Sequence, residues 1–409
     1  MQHQQLIPHL FRTEFTKIVS VLCKRFGFAQ MEIAEDIAGD TFLTAAQTWP
    51  MQGLPQNPTA WLYSVAKNKA KNYLQRSALF ENKIAREIKN TSSLSHETEI
   101  DLSPQNITDS QLQMMFAICH PAIAAEAQIG LSLRILCGFG IEEIADAFLT
   151  NKETINKRLY RAKEKLRAEK IEIEMPGAAK IDQRLANVLT TIYLLFSEGY
   201  YSESQNQTLR KELCFEAMRL CEMLLENTCT NKPEANALLA LICFHASRFD
   251  ARTNKNGGHI LYDEQDTNLW NAALISKGGQ YLHKAATGDR LSKYHLEAAI
   301  AYWGTQKNDT KEKWENILQL YNRLLQLEYS PIAALNRTYT LAKVYGKEQA
   351  IAEAEKLHLS NNHFYFALLG ELYTGIDNVK AKQHFKKAMA LAKTQAEKQV
   401  MQKKIDNME

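Results

Sequence analysis

Slid along itself by 34 residues, the last quarter of the chain meets itself: Leu335 falls on Leu369, Tyr339 on Tyr373, Ile351 on Phe385 and Ala354 on Ala388. One period earlier stand Ala301, Ile317 and Leu320. A period of this length holds two helices and their turns, and one such unit cannot bury its apolar face alone. Neighbouring units must stack, which confines this part of the chain to helix packed on helix. The remainder points the same way: 9 Pro and 17 Gly are few for 409 residues, and Ala, Leu, Glu, Lys and Gln favour helix. The expected fold class is all-α, with two small helical domains joined by a flexible linker and followed by a helical repeat domain.

Changes of character along the chain set the expected boundaries. Residues 1–88 read as helices broken by "WPMQGLPQNP", whose three prolines oppose a continuous helix. Residues 89–109, within "IKNTSSLSHETEIDLSPQNITDS", are polar and lack helical periodicity. As a flexible coil they would span on the order of 25 Å. Apolar periodicity returns over 110–172, and Pro176 and Gly177 mark a break before the third region, 178–409.

The whole chain carries a formal charge of only +3, yet Lys152 to Lys170 holds eight Lys or Arg against three Glu. Thr150 and Glu153 read as a capping box that starts a helix near Asn151. Ile155, Leu159, Ala162 and Leu166 share one stripe, while Thr154, Lys157, Arg158 and Arg161 gather opposite. Such a face suits a major groove, with cations for phosphates and side chains near the helix start for base edges. Ile144, Ala145 and Phe148 supply the core of a preceding helix, and the pair reads as a helix-turn-helix, with Leu149 where the turn usually has Gly. A second basic helix begins after the proline-rich loop, capped by Asn57 and opened by Pro58. It points Leu62, Val65, Ala66 and Tyr73 inward and Lys67, Asn68, Lys71, Asn72 and Arg76 outward. Just upstream, Glu32, Glu35, Asp36 and Asp40 make a helix of the opposite sign, suited to a basic protein surface.

These blocks in this order resemble the extracytoplasmic-function (ECF) sigma factors of bacterial RNA polymerase, over residues 1 to about 170. "AEDIAGDTFLTAAQTW" is similar to their polymerase-clamping helix, which implies polymerase binding by Glu35, Asp36, Asp40 and Phe42. "AWLYSVAKNKAKNYLQR" is similar to their promoter-melting helix, which implies that Asn68 helps capture a base flipped from the −10 element. "IEEIADAFLTNKETINKRLYRAKEKLR" is similar to their −35-binding domain. "YFALLGELYTGIDNVKAKQHFKKAMAL" has the L-G-x-x-Y and A-x-x-x-F spacings of a tetratricopeptide (TPR) unit, with Gly370, Tyr373, Ala381 and Phe385 at the marker places. "YLLFSEGYY", "LLALICFHASRFDAR" and "SPIAALNRTYTLA" resemble an ECF subgroup with a TPR-like extension. That likeness implies an extension standing in for an anti-sigma factor and partners of the DGPF or YCII-related type, besides core RNA polymerase and promoter DNA.

Other classes fit less well. Seven cysteines without a CxxC pair read as reduced, mostly buried thiols, and Cys119 beside His120 reads as a core thiol next to a hydrogen-bonded ring. No metal, cofactor or catalytic centre is expected. The opening residues lack a signal-peptide pattern and no stretch is apolar for about 18 residues, so a cytoplasmic protein without a membrane segment is expected. A polar set, Glu198, Tyr200, His245, Asp250, Arg252, Asp263, Asp266 and Trp270, reads either as ion pairs and turn caps within the repeats or as a ligand or peptide pocket. A helix-turn-helix regulator with a TPR sensor and a TPR adaptor remain alternative functions.

Overall fold

The computed structural model describes residues 2–88, 100–148, 150–201, 207–252, 260, 262–288, 290–392 and 395–408. They form helices and turns, with no strand among them. Two compact units stand out, Met1–Ser204 with Glu226–Thr230, and Gln205–Leu225 with Asn231–Glu409. Of the sequence expectations, Leu149 and the linker residues 89–99 lie outside the described residues.

The first unit contains α1 (Gln2–Phe26), α2 (Met31–Gln52), α3 (Pro58–Ile88), α4 (Pro104–Ile118), α5 (Ala125–Leu131), α6 (Ile141–Ala147), α7 (Lys152–Ala168) and α8 (Ile181–Tyr201). Its core runs along α1, where Ile18, Val19 and Leu22 are buried and the helix packs on α2, α3 and α4. The proline-rich break is shorter than expected. α2 continues through Pro50 to Gln52 and stops at Gly53, whose φ of 85° is strained for any residue with a Cβ. The Gly53 amide donates to the Trp49 carbonyl at 3.0 Å. α3 starts where its signals put it, with Asn57 Oδ1 accepting from the Ala60 amide at 3.0 Å and Pro58 in first place. The expected linker also ends early. Ser103 caps α4, and Ile100 and Ile107 are buried.

The break at Pro176 and Gly177 separates helices but not compact units. α8 packs on α4 and α5; Thr191 Oγ1 donates to Gln128 Oε1 at 2.8 Å and Arg184 donates to the Phe116 carbonyl at 2.5 Å.

The second unit contains α9 (Gln207–Glu226), α10 (Pro233–Ala246), α11 (Ala272–Ala285), α12 (Lys293–Trp303), α13 (Lys311–Leu327), α14 (Pro331–Tyr345), α15 (Lys347–Glu355), α16 (His363–Tyr373), α17 (Asn378–Leu391) and α18 (Gln395–Asp406). From α10 onward, each helix packs on the next, with α10 on α11, α13 on α14 and α16 on α17 the most extensive of these contacts, and α10 also packs on α12. Leu335, Leu369, Ala354, Ala388 and Phe385 are buried, while Tyr339 and Ile351 are half-buried. In two pairs a glycine permits the closest approach. A Cβ on Gly278 would lie 2.7 Å from the Phe244 ring, and one on Gly370 would lie 2.7 Å from the Phe385 ring.

Candidate functional site

On α2 the buried residues Ala34, Ile37, Ala38, Thr41, Phe42, Ala45 and Trp49 form the inner face. Phe42 belongs there: its ring meets Phe11 at 5.1 Å and Phe15 at 6.4 Å. It is therefore a core residue, which corrects its expected place among the polymerase-facing side chains. At about 100° per residue, Glu32, Asp36, Asp40, Leu43 and Gln47 fall within roughly 80° of one another on the outer face. All five are exposed, Leu43 at 55%, so an acidic strip ends in an uncovered leucine. Leu43 was missed by sequence reasoning, although its spacing of i+3 from Asp40 and i+7 from Asp36 was a usable signal.

Next to this strip α3 carries the opposite charge. Leu62 and Ala66 are buried, and the half-buried Tyr73 ring lies 5.6 Å from Phe26. Asn68, Lys71, Asn72 and Arg76 are exposed and Lys67 is half-buried, so the helix presents its cations and amides outward. Lys69 Nζ reaches Asp40 at 3.8 Å, linking the two helices. Tyr63 donates to the buried Glu14 at 2.5 Å, and burial with that carboxylate pushes the phenol well above its usual range.

In α7, Ile155, Leu159, Ala162 and Leu166 are all buried, as their period requires. The cap differs from expectation: Asn151 Oδ1 accepts from the Thr154 amide at 2.8 Å, while the Thr150 amide donates to Ala145 in the preceding turn. Asn and Thr both cap well, and here the Thr150 backbone is engaged in closing α6. Lys157 and Arg161 are exposed and Thr154 is half-exposed. Arg158 is different, because its guanidinium lies over Phe148, 5.3 Å from the ring centroid. Phe148 itself is half-buried rather than a core residue.

The other half of α7 is turned toward α2. Lys163 Nζ pairs with Glu35 at 2.9 Å, with side chains only 13% and 18% exposed. Arg134 Nε lies 3.9 Å from the same carboxylate. Arg167 pairs with Glu32 and donates through Nε to the Phe28 carbonyl at 2.9 Å. Arg12 of α1 adds a further link, 3.3 Å from Glu143 and over the Phe139 ring at 5.0 Å. Glu35, expected to face a partner protein, is thus engaged within the unit, whereas Asp36 and Asp40 remain exposed.

The polar set is divided between the two units. Glu198, whose carboxyl is raised by burial, belongs to the first unit with Tyr200, and the other members belong to the second. Asp250 pairs with Lys211, Asp266 accepts from the Asn268 amide at 2.9 Å, and Asp263 lies 3.8 Å from Lys343. What sequence reasoning missed is an aromatic and cationic stack. Arg248 lies over Tyr262 and Trp270; buried Lys313 donates to Tyr262 Oη at 3.0 Å and the Gln306 carbonyl at 2.9 Å; Lys343 lies over Trp314 and Tyr339. Trp270 and Tyr339 stand out in the sequence, but the members come from several segments, and only Tyr339 with Lys343 and Lys313 with Trp314 are near in sequence.

Cys119 is buried, which pushes its thiol up to about 11, and His120 Nδ1 accepts from the Ala122 amide at 3.1 Å. Six cysteines are buried and Cys229 is exposed. Among the described residues no His, Cys, Asp and Glu cluster is arranged to hold a metal, and no helix is long and apolar enough to cross a membrane.

Over 389 residues, 93% of this chain and 91% of the relative, the sequence is 32% identical to the uncharacterized protein R00370 of Rhizobium meliloti (strain 1021). The chain belongs to the family of that protein. Residues 10–79 match sigma-70 region 2, the segment that carries the acidic strip and the start of α3. Residues 184–286 match a family of unknown function, DUF6596. Over 108 residues, 25% of this chain and 57% of the relative, the sequence is 30% identical to the ECF RNA polymerase sigma-E factor of Haemophilus influenzae (strain ATCC 51907 / DSM 11121 / KW20 / Rd). No solved structure matches. The region 2 match and the sigma-E likeness support a sigma-factor role in transcription initiation, and sigma-factor families are non-enzymatic.

Proposed function

We propose that this protein is an ECF-type sigma factor of the cytoplasm, which binds core RNA polymerase and directs it to promoters under the control of a TPR-like C-terminal domain. The observation that carries the reading is the exposed strip Asp36, Asp40 and Leu43 on α2, beside the outward Asn68, Lys71, Asn72 and Arg76 of α3, inside the segment matching sigma-70 region 2. An acidic strip with an apolar end suits a basic protein groove, and the neighbouring cations and amides suit a melted strand. In this reading Thr154, Lys157 and Arg161 of α7 serve the duplex upstream. The paired helices and the close Gly370 and Phe385 contact support a TPR-like description of the second unit, whose partners by family likeness are DGPF or YCII-related proteins.

Run-off transcription with purified core polymerase tests the function. Promoter-specific starts with no other factor added are expected. A protein that binds duplex DNA alone but never redirects polymerase would instead be a helix-turn-helix regulator. Reversing charge at Asp36 and Asp40 is expected to weaken polymerase association by roughly several kcal/mol, because paired interfacial charges become repulsive.

A further inference from the structure

We infer that the first turn of the acidic face of α2, Glu32 with Glu35, is held in cis by the C-terminal half of α7 while Asp36, Asp40 and Leu43 stay open, so that a polymerase docked on the open part must displace α7 to engage the whole face. The inference rests on the sigma reading, but its observations are independent of it. Glu32 lies on the same face as Asp36, Asp40 and Leu43, and Arg167 sits on it. One turn along α7, Lys163 fills the space over Glu35, and this pair is almost withdrawn from water. Arg167 also donates to the Phe28 carbonyl, which ties α7 to the backbone that leads into α2.

The contact follows from the division of α7 into two halves. Lys157 and Arg161 in its first part are exposed and left to nucleic acid, while Lys163 and Arg167 point to α2. A protein partner approaching along the strip from Leu43 toward Glu32 meets α7 at the end of its path. Binding there exposes Glu35 and Lys163 together or replaces each with a new partner, since leaving either charge buried and unpaired is costly. The cis contact therefore competes with any basic groove that uses this face, and the apparent affinity of the groove is reduced by the fraction of molecules that are open.

A native reporter lies on α1, within electrostatic reach of the contact. Cys23 is fully buried and feels the charges of Glu35, Lys163 and Glu32, and burial raises its thiol well above the usual range. Exposed Cys229 serves as an internal reference. In the full-length protein, alkylation of Cys23 relative to Cys229 is followed by peptide mass spectrometry, and affinity for purified core polymerase is measured alongside. The variants are Lys163→Gln with Arg167→Gln, which keeps much of the side-chain length, and the exchange Glu35→Lys with Lys163→Glu made together with Arg134→Gln, which restores the pair in reverse without setting the new lysine against the Arg134 guanidinium. The Gln pair is expected to speed Cys23 alkylation about tenfold and to tighten polymerase binding about tenfold, the shift of a closed equilibrium toward open. The exchange is expected to return alkylation toward the wild-type rate, which separates loss of the pair from loss of the fold. Unchanged Cys23 protection in the Gln pair overturns the latch. Faster alkylation with unchanged polymerase affinity overturns the competition. Absence of polymerase binding by wild type and every variant overturns the sigma reading, and the inference with it.

Discussion

Arg158 stands among the cations of α7, yet its guanidinium lies over Phe148 while Lys157 and Arg161 extend into solvent. The three are equivalent in a list of basic residues and unequal in what they hold. Arg158→Ala removes a cation–π contact of about 0.5 to 1 kcal/mol and the cover over Phe148, so thermal stability is expected to fall together with DNA affinity. Arg161→Ala is expected to leave stability within about 0.5 kcal/mol and, where the side chain meets a phosphate, to lower the salt slope of DNA binding by about 1. Melting curves and salt titrations on both variants check this, and equal behaviour of the two would remove the distinction.

His245 shows how one half-buried ring, its Nδ1 shut off from solvent, couples the second unit to pH. Burial, and then the charges of Arg248 and Arg252, lower its pKa well below 6.5. The unfolded chain thus takes up the proton first, and stability that is full above about pH 6.5 is lost as pH falls toward the folded value. The slope contributed is at most about 1.4 kcal/mol per pH unit. Denaturant unfolding of wild type at pH 7.5 and 5.5 is expected to show this loss, and His245→Gln is expected to reduce it.

At the scale of elements, packing of helix pairs depends on where side chains are absent. Gly370→Ala in α16 would place a methyl 2.7 Å from the Phe385 ring, and the expected loss is about 1 to 3 kcal/mol of stability. Denaturant unfolding of that variant, beside Gly375→Ala where the strain is of backbone φ instead, measures it. Gly370 and Phe385 were legible because a repeat puts the small residue and the aromatic at fixed places. The apolar stripe of α7 was legible for the same reason, a period of 3.6 written in one short segment. Its cap was less so, since Thr150 and Asn151 are both competent and only the use of the Thr150 amide in the preceding turn separates them. The contacts that close α7 on α2 were not legible at all. Lys163 and Glu35 are 128 residues apart, Arg167 and Glu32 are 135 apart, and no local pattern connects partners at that distance. Phe42 failed for another reason: a short likeness locates a helix, but its inner and outer faces are decided by Phe11 and Phe15 of α1.

At the scale of the molecule the unexpected element is α8, which lies beyond the Pro176 and Gly177 break yet completes the first unit. Its Leu185, Val188, Leu189, Ile192, Leu195 and Phe196 are buried, and it supplies the partners of Gln128 Oε1 and the Phe116 carbonyl. A protein cut after Gly177 therefore loses part of its own core along with the second unit, and a loss of activity in it would say little about regulation. A protein cut after Ser204 keeps all eight helices of the first unit and loses, of that unit, only Glu226–Thr230. The 1–177 protein is expected to melt at least about 5 °C below the 1–204 protein, because burying even a few of these side chains is worth more than 2 kcal/mol. In 1–204 every described residue of the α2 and α7 contact is retained, so Cys23 is expected to stay protected from alkylation. If the repeats help to open that contact, as a required regulatory domain would, run-off transcription by 1–204 is expected to fall below that of the full chain while its melting temperature is kept. A rise in transcription would make the repeats inhibitory instead. Equal transcription by 1–204 and the full chain, in vivo and with purified polymerase, would remove the second unit from control of initiation.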